Sequence, residues 1–521
     1  MEFIISRYLS KCQSLFEITT LICINMSKKI ARRILAIAFA TALTIGIILS
    51  AFGISKVINR KNQQQNLQGL SALAQDYGTI NLDCNYSETS HSLAVNQTTE
   101  YINHSTQILF AVKFHLYANA FQTDAEYPAV APSEVERAYP NGFDAGYAKV
   151  TTPHVSIDGS DNTVITVPVK QGIKPGEKVD IDLQYTIKLA NVKHRLGYTE
   201  NSVNLGNFYA IPVIYDNGWQ TYPYSYNGDP FFNELYNFDV KITAPEDYRI
   251  ATSGTEIEKY HYQGYMLRDF AIVMSRDFKT ISRQVGDTTV TYYYLNDEIP
   301  EISLYTACNA LAYFSNTFLD YPYDTLAVVQ TDFLQGGMEY GALVYIALDV
   351  TDQLQYQTVI VHEIAHQWWY GLVGNNQHQT AWIDEGLAEY ATAVFFETHP
   401  QYNKTLAGTA EQNQASIKMF EGIMDEYGIS YSPIMRRGLN DYKMPSEYTI
   451  NTYARGMLLF YEITEMVGYE NLNQALAKYA HERCYGFASI YTLSHSLEDS
   501  LGYDLVNFIN NYLAGKQSDV L

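Results

Sequence analysis

His362-Glu363-Ile364-Ala365-His366-Gln367-Trp368-Trp369-Tyr370-Gly371 is the stretch on which the reading of this chain turns, and Trp382-Ile383-Asp384-Glu385-Gly386-Leu387-Ala388-Glu389-Tyr390 follows it closely. Val359, Ile360, Ile364, Trp368 and Leu372 recur at three and four positions, which predicts a helix over roughly 353–372. On such a helix His362 and His366 share one face, so both imidazoles reach one ion. Glu363 stands beside the first of them, where a carboxylate can take a proton from an activated water. A catalytic zinc needs a third protein ligand and one open position. Glu385, 19 positions after His366, supplies that ligand. Trp368, Trp369 and Trp382, three of the four tryptophans, would wall the site from bulk water. Glu389 reads equally as an acceptor orienting a ligand histidine or as a solvent-facing charge. His378 reads as a loop residue rather than a ligand.

Outward from this centre, two textures divide the chain. After Pro300, apolar residues keep helical spacing, as in Met457, Leu458, Tyr461 and Met466, a series closed by Gly468. Thr325–Gln330 and Ala342–Leu348 read as strands between helices. Before Pro300, alternation dominates: Ile108, Phe110, Val112, Phe114 and Leu116; Val179 through Leu189; Phe238, Val240 and Ile242. Turn signals such as Asp158-Gly159, Pro175-Gly176 and Asn227-Gly228 separate the strands. The expectation is an antiparallel sandwich or saddle over 80–290, then a mixed α+β domain over 291–521.

The N-terminal part is of another kind. Residues 34–55 form a 22-residue run without a charge, long enough at about 1.5 Å per residue to span a bilayer. Lys28, Lys29, Arg32 and Arg33 precede it. This predicts a cytoplasmic segment 1–33, a single-pass anchor 34–55, a polar linker 56–79 and an exported body at the cell membrane; the alternative is a cleaved signal peptide, for which the small residues Ala36, Ala38, Ala40 and Ala42 speak. Met26 reads as an alternative start. The 34 Lys+Arg against 56 Asp+Glu give a net charge of −22, which excludes a general attraction to nucleic acid. Hydrophobic residues at 47% exclude a disordered chain, and five cysteines exclude a dense disulfide framework.

The two quoted stretches resemble the aminopeptidase N-type zinc metallopeptidases, the gluzincin aminopeptidases that include leukotriene hydrolase-like members. That family carries H-E-x-x-H and a ligand Glu at the same spacing; Asp384 stands where Asn is commoner. Gly336-Gly337-Met338-Glu339-Tyr340 resembles its G-x-M-E-N signature, with Tyr340 in place of Asn. Tyr453-Ala454-Arg455-Gly456 resembles its Y-x-K-G. The resemblance implies a thermolysin-like catalytic domain with one Zn²⁺ on His362, His366 and Glu385. It implies Glu363 as general base and Tyr453 as donor to the oxyanion. It implies Glu339 as the carboxylate that holds a substrate's free α-amine, with Gly336, Gly337 and Met338 beside it. Peptides with a free N-terminus would be the substrates. The family's C-terminal helical domain has no counterpart after Leu521, which implies an open cleft or one closed by a capping partner or a second copy. The competing readings are a zinc endopeptidase, an epoxide hydrolase, or a non-catalytic peptide-binding module on the same scaffold.

Overall fold

Alternating residues put one face of each strand on a core and the other in water, and among the described residues 17 strands precede the first long helix, Pro300–Thr317. The computed structural model describes residues 70 and 72–516, which lie in one compact unit, Leu67–Leu521. The expected segments 1–33 and 34–55 and most of the 56–79 linker lie outside the described residues. Among the described residues no helix is long and apolar enough to cross a membrane.

A seven-stranded sheet runs in the order 255–258, 261–267, 236–243, 79–87, 92–102, 178–188, 147–150. Its pairs are antiparallel except Thr79–Ser87 with Tyr236–Thr243, which is parallel. The long excursion between those two strands permits that direction, which no hairpin could. Two four-stranded sheets accompany it, so the β-rich part holds three sheets. The alternation read at 108–116 holds only in its second half. Val112, Phe114 and Leu116 are buried, whereas Ile108 and Phe110 are exposed. A register shift between Leu109 and Ala111 turns the strand by one residue and exchanges its faces.

The fourth sheet carries the site. Its order is 279–285, 288–294, 325–331, 343–347, 337–338. Strands 288–294, 325–331 and 343–347 are parallel neighbours, and Gly337–Met338 is the antiparallel edge. The hairpin 279–294 therefore belongs to the same sheet as the strands beyond Pro300. The change of texture at Pro300 marks the start of the helix Pro300–Thr317, not the edge of a sheet. The described residues form a mixed α+β arrangement, β-rich first and helical later, around one large apolar core, with a small second cluster of Ala381, Leu439, Tyr442 and Tyr448 against which Tyr453 packs.

The helix carrying the histidines is Gln353–Ala365, shorter than its apolar pattern, with His366 as C-cap. Asp352 caps its start by accepting from the Gln355 N–H. The carbonyls at its end accept from the backbone that follows, Ile364 from the Gln367 N–H and Ala365 from the Trp368 and Trp369 N–H groups, so Trp368 and Leu372 reach the core from a turn. Arg268 holds the segment beyond, donating through Nε to the Tyr370 and Gly371 carbonyls at 2.8 and 3.1 Å, and through Nη2 to the Gly486 carbonyl.

Candidate metal and peptidase site

Helix Trp382–Thr398 brings Glu385 to the histidines. Its approach to helix Arg455–Val467 is backbone on backbone. A Cβ on Gly386 would lie 2.9 Å from the Gly456 Cα and carbonyl carbon, and one on Gly456 would lie 2.9 Å from the Gly386 Cα. The glycines that follow Glu385 and Arg455 are thus one contact. Just before that contact, Ile450–Ala454 winds as a π-helix, which re-aims Tyr453 toward the site. Tyr453 Oη donates to Glu385 Oε1 at 2.5 Å.

Three atoms converge. His362 Nε2 and His366 Nε2 are 3.0 Å apart, and each is 3.2 Å from Glu385 Oε2. Tetrahedral zinc with donors at about 2.0–2.1 Å would separate them by about 3.3 Å. The second nitrogens decide what these atoms can be. His366 Nδ1 donates to the Trp369 carbonyl at 2.9 Å, and His362 Nδ1 stands 3.2 Å from Glu389 Oε1. With both Nδ1 atoms protonated, Nε2, Nε2 and Oε2 present three lone pairs to one point and no hydrogen among them. That donor set fits a cation, and the three residues are all buried. Burial works against charge on Glu385, but the imidazoles hold its carboxyl down to about 2. Burial likewise opposes charge on His366, while Glu339 and Glu385 hold it up to about 10. A pocket that so favours positive charge would exchange bound protons for a metal ion.

Glu363 lies on the other side of Gly337. A Cβ there would stand 2.2 Å from Glu363 Oε1, so only glycine lets the carboxylate reach this place. Burial pushes the Glu363 carboxyl up to about 7, with His362 and His366 pulling it back. Glu339 follows the edge strand and is buried. Burial, then Asp229, raises its carboxyl well above the usual range. Gly336 has φ +90°, which shapes the turn into that strand. Met338 is buried against the Arg195 guanidinium, Nη1 to Sδ 3.4 Å, and Arg195 also pairs with buried Asp229. A cavity of about 330 Å³ lined by Arg195, Tyr224, Phe333, Met338, Tyr448 and Tyr453 adjoins these groups.

Every residue singled out in the sequence for the site thus comes together: His362, His366, Glu385, Glu363, Tyr453, and Gly336 through Glu339. Glu389 Oε1 comes within 3.2 Å of His362 Nδ1 without hydrogen-bond geometry, so the structure brings the two together and leaves both readings of Glu389 open. Tyr340, the departure from the signature, turns away from the site and donates to Asn207 Oδ1 at 2.9 Å. His378 is not a solvated loop residue. It lies buried in the short helix Gln377–Thr380, its ring stacked on Tyr222 at 4.4 Å. Sequence reasoning missed Asp229, Arg195 and Gln377, which have no spacing relation to the motif. The one signal for Asp229 was its place in the Asn227-Gly228-Asp229 turn. The three described cysteines are free.

Residues 302–512 match the model of the Peptidase family M1 domain. Among curated proteins, an alanine/arginine aminopeptidase of Saccharomyces cerevisiae is 24% identical over 298 residues, 54% of this chain and 33% of its own length. An endoplasmic reticulum aminopeptidase 2 of Bos taurus is 23% identical over 301 residues, 52% of this chain and 30% of its own. The chain therefore spans about a third of the length of these relatives. Among solved structures, an M1 zinc metallopeptidase of Deinococcus radiodurans shares the fold at TM-score 0.54 and 17% identity, covering 85% of this chain and 93% of that one.

Proposed function

We propose that this chain, which carries a Peptidase family M1 domain, is a zinc aminopeptidase that removes the N-terminal residue from peptides. One observation supports this above the others: three lone pairs on His362, His366 and Glu385 share one point, with two buried carboxyl groups beside it, Glu363 against Gly337 of the adjoining edge strand and Glu339 just after that strand. Zinc on those ligands supplies Lewis acidity to a peptide carbonyl and to water.

The protein's own groups do the rest. Glu339 receives the substrate ammonium, and a buried carboxylate there selects a free N-terminus over a blocked one. Edge strand Gly337–Met338 offers unpaired backbone groups for the substrate to extend. The side chain of the first residue enters the cavity between Met338 and Tyr453. Glu363 accepts a proton from the attacking water and returns it to the departing amine. Tyr453 turns its hydroxyl from Glu385 Oε1 toward the oxyanion as charge develops there. The Trp369 carbonyl holds the His366 tautomer throughout, and Glu389 stands within 3.2 Å of His362 Nδ1.

The uncharged run 34–55 and its basic flank support a single-pass anchor that holds this body outside the cytoplasm. For the catalytic reading, the test is Glu363→Gln. It should bind one zinc per chain and lose about 10²–10⁴-fold in kcat. Wild-type turnover by a pure Glu363→Gln sample would overturn the general-base assignment.

A further inference from the structure

Gln377 belongs to no motif, yet it occupies the space between two buried carboxylates. Its Nε2 donates to Glu339 Oε1 and to Asp384 Oδ2, each at 2.8 Å. Both partners are carboxylates, which accept, so the amide must face them with its nitrogen. Gln377, Glu339 and Asp384 are all buried. The amide is itself anchored. The Gln377 backbone N–H donates to the Phe231 carbonyl at 3.1 Å, and Asn376 caps the short helix that begins here by accepting from the Gln379 N–H. Asp384 is held from the other side by Asn375 Nδ2 at 3.0 Å.

Glu339, His366 and Asp384 also offer ligand atoms within 4.8 Å of one another. They do not make a second metal site. His366 Nε2 already belongs to the first donor set, and both amide hydrogens of Gln377 already lie between the two carboxylates. Two buried carboxylates so close repel each other, and the shared amide is the neutral donor that keeps both in place. Asp384 stands where the resembling family more often has Asn, so the amide that side chain would bring is here supplied by position 377.

We propose that Gln377 is a positioning residue for substrate recognition: by dividing its amide between Asp384 and Glu339, it fixes the carboxylate that receives the substrate's α-ammonium. The proposal rests on the reading of Glu339 as the ammonium site, and the experiment separates the two. Three variants of the full chain are compared with wild type: Gln377→Met, which keeps volume and loses both donors; Gln377→Glu, which keeps shape and puts an acceptor there; and Glu339→Ala. The probes are leucine p-nitroanilide, leucine hydroxamate, and the hydroxamate of 4-methylpentanoic acid, which has the same side chain and no amine. Zinc content is measured for each.

Gln377→Met should keep stoichiometric zinc, raise KM for leucine p-nitroanilide about tenfold and change kcat less than threefold. It should weaken leucine hydroxamate about tenfold and leave the amine-free hydroxamate unchanged. Gln377→Glu should weaken the amine-bearing inhibitor in the same selective way. A merely structural role would weaken both inhibitors alike, and that result overturns the proposal. So does an unchanged preference in both Gln377 variants when Glu339→Ala abolishes it. If Glu339→Ala leaves the preference for the amine intact, the ammonium reading of Glu339 fails and the proposal falls with it.

Discussion

Gly337→Ala isolates the general base from everything else in the site. Gly337 has no positive φ, so alanine fits the strand's backbone conformation. The new methyl, however, would lie 2.2, 2.5 and 2.6 Å from Oε1, Cδ and Cγ of Glu363. Ordinary van der Waals contact begins at 3.4 Å, so the carboxylate must retreat by about 1 Å. A misplacement of that size costs a reaction about 10²-fold, or about 2.7 kcal/mol of barrier. The methyl meets no metal ligand, so zinc content and unfolding midpoint should stay near wild type. Steady-state kinetics on an amino-acid p-nitroanilide, with zinc measured on the same sample, gives the answer. Gly336→Ala is the contrast: its methyl meets nothing within 4 Å, but φ is +90°, so it should lower stability by about 1–2 kcal/mol with a much smaller effect on kcat. A Gly337→Ala enzyme with kcat within threefold of wild type would refute the reasoning, because Glu363 would then work from a place the structure does not give it.

Three further outcomes follow from the same geometry. Tyr453→Phe removes both a donor to Glu385 and the proposed donor to the oxyanion; kcat should fall about 10²–10³-fold while zinc affinity falls tenfold or less, and equal losses would make the hydroxyl a ligand-orienting group only. Gly386→Ala drives a methyl into the Gly456 backbone and should destabilise by about 1–3 kcal/mol in urea unfolding; an unchanged midpoint would contradict the backbone-on-backbone packing. His115 and His378 are held neutral by burial, their pKa values lowered to about 4 against an unfolded value near 6.5. The unfolded chain therefore binds more protons between those limits, and stability present above pH 6.5 is lost as pH falls toward 4, by up to about 3 kcal/mol per histidine. Asp269, raised by burial to about 7, works the other way over much of that range and offsets one of the two histidines, so His115→Gln should remove nearly all of the slope that these three groups give the acid side of the stability curve; an unchanged slope would contradict the buried neutral state of His115.

Much of the site was legible because its chemistry is local. His362 and His366 are one helical turn apart, and the ligand Glu385 lies on the next long helix, so spacing alone carries the metal set. The glycines after Glu385 and Arg455 were part of the quoted motifs, but their meaning was not legible: that they touch depends on how two helices distant in sequence cross. Gln377 was invisible for the same reason. A glutamine in a polar stretch has no periodicity, and its importance lies in two carboxylates that come from an edge strand and a helix. The helix end was misjudged because apolar spacing continues through Trp368 and Leu372, although the chain has already left the helix at His366 for a turn that carries those residues to the core. In the β-rich part, strand texture was readable from alternation, but neither the face exchange at Leu109 nor the parallel pairing of 79–87 with 236–243 leaves a local trace. The hairpin 279–294 looks like its β neighbours in sequence, and only its pairing with 325–331 joins it to the sheet of the site.

A metal-activated site with Glu339 as its ammonium receptor should work only on free N-termini. The most direct measurement is to incubate the zinc-loaded protein with one peptide in two forms, free and N-acetylated, and to follow products by mass spectrometry. The expected result is stepwise loss of N-terminal residues from the free peptide, no cleavage of the acetylated one, and no activity for either after chelation until zinc is returned. Internal cleavage, or equal cleavage of both forms, would contradict it.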